Sequence, residues 1–209
     1  RPPRSTLFPY TTLFRSANVS HSVHQAVDGI LKNVFKIPGF CATRIALSAQ
    51  TSAQAKNIFI CDYDGKNIKQ LTRHTSLCVE PEWFPDSKSV LFTMYGQSAT
   101  SIIQTMINPY QSRSLVSMKG LNTGGSISPN GRFMALVMSQ DNQVELYIKE
   151  VDSSRMKRLT NSKAVEASPC WSPDGSQICF VSDLHNGRQN LYVIGVGGGT
   201  PSRLNTEGL

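Results

Sequence analysis

The chain has 209 residues, with 21 Lys and Arg against 14 Asp and Glu for a formal net charge of +7, and 39% of its residues are hydrophobic and 17% charged. That balance is ordinary for a folded chain of one or two domains and excludes a disordered or collagen-like one. No stretch approaches the roughly 20 consecutive apolar residues of a membrane-crossing helix, so no membrane insertion is expected.

Residues 6–16, TLFPYTTLFRS, back-translate to one reading frame of a common sequencing-adapter oligonucleotide. Residues 1–16 are therefore read as an artefactual tail, set aside from the fold and expected to pack on nothing. Arg1, Arg4 and Arg15 fall in that segment, which holds no acid, so the remainder carries 18 bases against 14 acids, a net of +4. Those bases are scattered, and no nucleic-acid partner is expected. Residues 17–40 form a separate segment. Val23, Val27, Ile30, Leu31 and Val34 recur near helical spacing, which predicts one amphipathic helix over 19–36, ended by Pro38-Gly39.

From residue 41 the chain repeats. Trp83-Phe-Pro-Asp-Ser87, Ile127-Ser-Pro-Asn-Gly131 and Trp171-Ser-Pro-Asp-Gly175 place Pro85, Pro129 and Pro173 a constant 44 residues apart. A second landmark, leucine at 71, 115, 159 and 204, keeps steps of 44, 44 and 45. A period of about 40 to 45 is that of a four-stranded propeller blade. Within one period a short strand ends at Trp171. Pro173, Asp174 and Gly175 make a turn, as Gly131 does one period earlier, since Pro presets φ, Asp bonds its own backbone and Gly accepts a positive φ. Strands follow at 178–181 and 190–194, separated by a polar loop at 183–187, and a Gly-rich hairpin at 197–199 leads to an outer strand at 202–205. The other periods place second strands at 90–93 and 133–137, and third strands at 58–60, 102–103 and 146–149. Asp62-Tyr-Asp-Gly65 reads as a turn. Residues 41–209 thus predict an all-β propeller of about four blades.

Chemistry is sparse. His21, His24, His74 and His185 form no zinc-protease pattern, no G-x-S-x-G is present, and Gly195-Val-Gly-Gly-Gly199 lacks the Lys-Ser/Thr of a phosphate loop. No catalytic residue, metal or cofactor is expected. The five cysteines include no C-x-x-C. Cys170 and Cys179 flank one turn and either face each other across a hairpin or sit as small free thiols. Trp83 and Trp171 share a register with Ile127 and are expected to pack between blades. Partner contacts are expected from the loops entering each first strand, residues 72–80, 118–125 and 160–168, which cluster at one mouth and carry Arg73, His74, Glu80, Asn122, Thr123 and Glu166.

The order Trp-Ser-Pro-Asp-Gly, apolar strand, Leu-Tyr-Val strand, Gly-rich turn, Arg-Leu-Thr resembles the repeats of TolB-type propellers. Asp28-Gly-Ile-Leu-Lys, followed by Gly39-Phe-Cys-Ala-Thr-Arg44-Ile-Ala, is similar to the junction between the N-terminal domain and the propeller of that family, and the resemblance covers roughly residues 19–209. It implies six blades after a small α/β domain, of which residues 17–40 are the remaining helix and 41–209 a partial ring. It also implies a non-enzymatic periplasmic protein of the Tol–Pal envelope system. Such a protein binds the peptidoglycan-associated lipoprotein Pal across one mouth, engages TolA and other envelope proteins, and maintains outer-membrane integrity and constriction at division. The alternative is the propeller of a prolyl-oligopeptidase-like serine peptidase, whose repeats are similar. If the ring has six blades, two blade faces are left bare, carrying residues such as Ile178, Phe180, Leu191 and Val193. The chain expressed alone is then expected to aggregate or behave as a loose array and not to bind Pal.

Overall fold

The computed structural model describes residues 19–140 and 143–204. The tail read at 1–16 lies outside them. The described residues fall into two compact units, one of residues up to Ile45 with Phe59–Gln70, the other of Ala46–Ile58 with the residues from Leu71 onward.

The first unit opens with α1 (Val19–Ile30). The expected helix does reach residue 35, but its last turn, Leu31–Phe35, widens to a π-turn. Lys36 is left-handed at φ 58 and donates its N–H to the Leu31 carbonyl, and Ile37 N reaches the same oxygen at 3.2 Å. Pro38 has no N–H with which to continue. The amphipathic reading is corrected in one respect: Val23, Val27, Ile30 and Val34 are exposed, while Ser22 and His24 are buried. His24 meets the Tyr63 ring edge-on at 4.9 Å and lies 3.4 Å from the Asp64 carboxylate. Asp28 accepts the N–H groups of Cys41 at 2.7 Å and Ala42 at 2.8 Å. Burial pushes the Asp28 carboxyl up, but these N–H groups outweigh it and hold the group below its ordinary range. Asp62 to Gly65 turn as the sequence predicts: Gly65 N donates to Asp62 O at 2.9 Å and Asn67 Nδ2 to the Asp62 carboxylate at 2.7 Å.

Among the described residues, fifteen strands follow the helix. β1 (Arg44–Ser52), β2 (Ala55–Asp62) and β3 (Lys69–Gln70) occupy the second, third and fourth places of the period. Three complete four-stranded blades come next: β4 (Leu77–Trp83), β5 (Ser89–Tyr95), β6 (Thr100–Met106) and β7 (Gln111–Val116); β8 (Asn122–Ile127), β9 (Phe133–Gln140), β10 (Gln143–Glu150) and β11 (Met156–Arg158); β12 (Glu166–Trp171), β13 (Gln177–His185), β14 (Arg188–Gly195) and β15 (Ser202–Arg203). Strands within each blade pair antiparallel with their chain neighbours. A parallel bridge, Lys56 with Leu77, joins β2 to β4.

The expected repeat is present in the backbone. The prolines head equivalent turns, closed by Ser87 N to Phe84 O, Gly131 N to Ser128 O and Gly175 N to Ser172 O at 2.8–2.9 Å. The third residue of each turn is left-handed, with φ 56 at Ser87, 73 at Gly131 and 71 at Gly175. One expected loop is shorter than read. β13 continues to His185, and only Asn186 and Gly187 turn, at φ 58 and 65, the pair of positive angles that a tight two-residue hairpin requires.

The core lies between blades. Met134, Leu136 and Met138 of β9 pack with Phe84, Leu91 and Ile102 of the preceding blade. Ala135 and Val137, pointing the other way, pack with Ile178, Phe180, Tyr192 and Ile194 of the following one. A strand buried on both faces reads as a continuous apolar run, which residues 133–137 are. The expectation for the last blade is corrected accordingly. Ile178 and Phe180 face inward at 0% and 1% exposure, and the open face instead carries Leu191, 40% exposed. Strand alternation puts Val193 beside it.

Candidate partner-binding mouth

Each inner strand, β4, β8 and β12, shifts register at the same place: between Val79 and Glu82, Thr123 and Ser126, Ala167 and Cys170. The residue inside each bulge is left-handed, at φ 55 for Glu80, 66 for Gly124 and 48 for Ser168. These positions are 44 apart. A bulge re-aims the side chains beside it, and here it turns carboxylates toward the next blade. Glu80 Oε2 accepts from Thr123 Oγ1 at 2.7 Å and Gly124 N at 3.2 Å. Glu82 Oε1 accepts from Ile127 N at 2.8 Å and Ser126 Oγ at 3.2 Å. Burial pushes the Glu82 carboxyl up, partly offset by those two donors. Trp171 Nε1 donates to Ser126 O at 2.9 Å, so Trp171 does pack between blades as its register suggests.

Two of the three loops leading into the inner strands are clamped from below. Thr160 Oγ1 accepts from Leu146 N at 2.9 Å and donates to Glu145 Oε2 at 2.5 Å. Glu145 also accepts from Ser162 N at 2.8 Å and Arg158 Nη2 at 2.6 Å. Two periods earlier the same bonds recur with Asn57 in place of Glu145. Ile58 N donates to Thr72 Oγ1 at 2.9 Å, which donates to Asn57 Oδ1 at 2.9 Å, and His74 N reaches the same oxygen at 2.7 Å. Sequence reasoning missed Asn57 and Glu145. The available signal was their identical spacing from the Gln-Leu-Thr and Arg-Leu-Thr landmarks.

The six loop residues singled out from sequence divide. Asn122 and Glu166 are buried, at 1% and 2% exposure, which corrects the expectation that their side chains face a partner. Asn122 Nδ2 is spent on the carbonyls of Met118 at 2.6 Å and Thr100 at 2.8 Å. Glu166 lies 3.5 Å from Ser162 Oγ, and burial pushes its carboxyl up. His74, half-buried, leans on the Phe92 ring at 6.3 Å. Thr123 and Glu80 are reachable but bonded to each other. Arg73 is exposed, and the loops add exposed Lys119 and Lys163. Beside them stand Leu77, Met118 and Val165, exposed at 39%, 39% and 53%. The accessible rim is therefore basic and apolar, while its acids, Glu80, Glu145 and Glu166, are bonded or buried. Basic and apolar groups side by side are the chemistry that complements a surface of exposed carboxylates around an apolar contact.

Comparison with known proteins agrees with this architecture. A family model described as the TolB beta propeller domain matches residues 32–209. The Tol-Pal system protein TolB of Anaeromyxobacter dehalogenans is 31% identical over 155 residues, 74% of this chain and 35% of that protein. The chain thus spans about a third of that curated relative. The crystal structure of TolB from Acinetobacter baumannii superposes with a TM-score of 0.81 at 26% identity, over 92% of this chain and 49% of that one. A puromycin-hydrolyzing peptidase of Mycobacterium tuberculosis reaches a TM-score of 0.58 at 17% identity, over 77% of this chain and 30% of that one, a likeness of fold alone.

Proposed function

Because the chain belongs to the TolB β-propeller family, we propose that it forms part of a periplasmic, non-enzymatic component of the Tol–Pal envelope system, whose propeller mouth binds the peptidoglycan-associated lipoprotein. The observation that carries the reading is kinship with a protein named for that system. The character of the mouth supports it: its loops expose the bases Arg73, Lys119 and Lys163 together with the apolar Leu77, Met118 and Val165, a composition suited to docking. TolA and other envelope proteins are further partners on this reading, and maintenance of the outer membrane during constriction is the role. The peptidase alternative draws support from fold likeness alone.

The test is made on the product of the gene that encodes this chain. Calorimetric titration with the lipid-free domain of the lipoprotein is expected to show saturable binding, and Lys119→Glu with Lys163→Glu to weaken it by about tenfold or more, since rim charge reversals act on encounter and on paired charges. Absence of binding to that domain overturns the reading, and turnover of prolyl peptides would replace it with the peptidase one.

A further inference from the structure

The chain carries the dipeptide Asn-Gly twice, at 130–131 and 186–187, and both asparagines are exposed. Asparagine before glycine is the pair in which a backbone nitrogen most readily reaches a side-chain amide carbon, since glycine has no Cβ to hinder the approach. In the first pair the two groups that would react are both occupied. Asn130 Oδ1 accepts from Ser128 Oγ at 2.8 Å and Arg132 N at 3.0 Å, and Gly131 N donates to Ser128 O at 2.8 Å. In the second pair both are open: among the described residues nothing bonds the Asn186 side-chain amide or the Gly187 N–H.

Asn186 and Gly187 make up the whole turn between β13 and β14, closed by the His185–Arg188 register pair and built on left-handed angles at both positions, φ 58 and 65. Gln97 and Ser98, at the tip of the corresponding hairpin in the first complete blade, are exposed although a further blade follows them. Exposure therefore belongs to the hairpin tip and not to the place of the blade in the chain. β13 passes Glu166 at Ser182 on its way to His185, which puts the tip at the mouth end of its blade.

The geometry points to Asn186-Gly187 as a self-modifying site that converts the Asn186 amide to a carboxylate, with water as co-reactant. The Gly187 nitrogen attacks the Asn186 side-chain carbonyl carbon. The new N–C bond closes a succinimide ring, and the Gly187 proton leaves with the amide nitrogen as ammonia. Water then opens the ring at either carbonyl, to aspartate or to isoaspartate, in which the chain runs through the former side chain. Ring closure at Asn130 must first break three hydrogen bonds, so Asn186 reacts about tenfold faster or more. Isoaspartate lengthens a turn whose fit depends on its two backbone angles, and either product adds a negative charge two residues from Arg188 at the mouth end. The proposal stands on the bonding of the two turns and is independent of the partner reading.

The product of the gene that encodes this chain is held folded at mildly alkaline pH, with circular dichroism as the check that its strands persist. Samples taken over time are digested and mapped by peptide mass spectrometry. The peptide containing Asn186 is expected to gain the mass of an amide-to-acid exchange and to split into aspartate and isoaspartate forms, about tenfold or more ahead of the Asn130 peptide. In urea, where the turn bonds are gone, the gap between the two peptides is expected to close. Equal rates in the folded protein, a gap that persists in urea, or an Asn186 that keeps its amide throughout overturns the proposal.

Discussion

Replacing Glu145 by Ala tests the loop clamp most directly. The carboxylate is fully buried and receives three donors, from Arg158, Thr160 and Ser162. Removing one member of a buried ionic pair costs about 3 to 5 kcal/mol when the other charge is left alone. Arg158 is not left alone. Its side chain is 34% exposed, and it keeps the Thr160 carbonyl at 2.7 Å and Asn161 Oδ1 at 2.8 Å. The lower end applies, about 3 kcal/mol, or a fall in melting temperature of roughly 6 to 12 °C for a chain of this length. Glu145→Asn is the informative control, because Asn57 does the same work beneath Thr72 and His74. It should retain acceptors for Thr160 and Ser162 and lose about half as much. Urea unfolding followed by tryptophan fluorescence measures both. An Ala variant within about 1 kcal/mol of wild type, or an Asn variant no better than Ala, would refute the clamp.

Trp171→Phe removes the indole donor to Ser126 and should cost about 0.5 to 1.5 kcal/mol by the same unfolding assay. Gly124→Ala forces a Cβ into a left-handed position, 3.1 Å from Pro169 Cδ, and should cost about 1 to 2 kcal/mol, read as an earlier urea midpoint. Asp174 is held down to about 2 by the Ser172 hydroxyl and then by Ser176. Its depressed pKa stabilises the fold above the unfolded value of 3.8, and that contribution is lost as pH falls toward about 2. Asp174→Asn should keep the turn, as Asn130 does one blade earlier, yet lose this acid-range dependence in a pH series of melting curves. Glu166 is shifted the other way: burial raises its pKa, so the ionised form weakens folding as pH rises above 4.5. Glu166→Gln should therefore raise the melting temperature at neutral pH and leave it unchanged in acid.

The turns were legible because their chemistry is local. Proline fixes φ, Asp174 or Asn130 caps the following N–H, and glycine accepts the left-handed angle, so the period could be counted from residues alone. The bulges were not legible. Their left-handed positions are filled by Glu80, Gly124 and Ser168, which share no side chain, and what repeats there is a dihedral angle. The facing of Ile178 and Phe180 was missed for a related reason: alternation tells which residues share a face, and only packing tells which neighbour that face meets. Asn122 and Glu166 were misplaced because a polar residue in a loop looks available until the carbonyls that consume it are located. For α1 the spacing was right, but spacing alone does not bury a stripe.

The bonds that cross between complete blades are distributed unevenly. Along the inner strands, Glu80, Glu82 and Trp171 tie one blade to the next through five hydrogen bonds. Toward the outer strands the polar ties are the exposed Arg113–Asp152 pair at 2.7 Å and Lys157 Nζ to the Gly197 carbonyl at 2.6 Å, and a cleft of ≈ 610 Å³ opens beside β7. Exposed ion pairs add little stability. The assembly is therefore tied more firmly along its inner strands than along its outer edges. A load on the outer edges is expected to part the sheets there, like the pages of a bound book, before it disturbs the inner margin where the mouth residues stand.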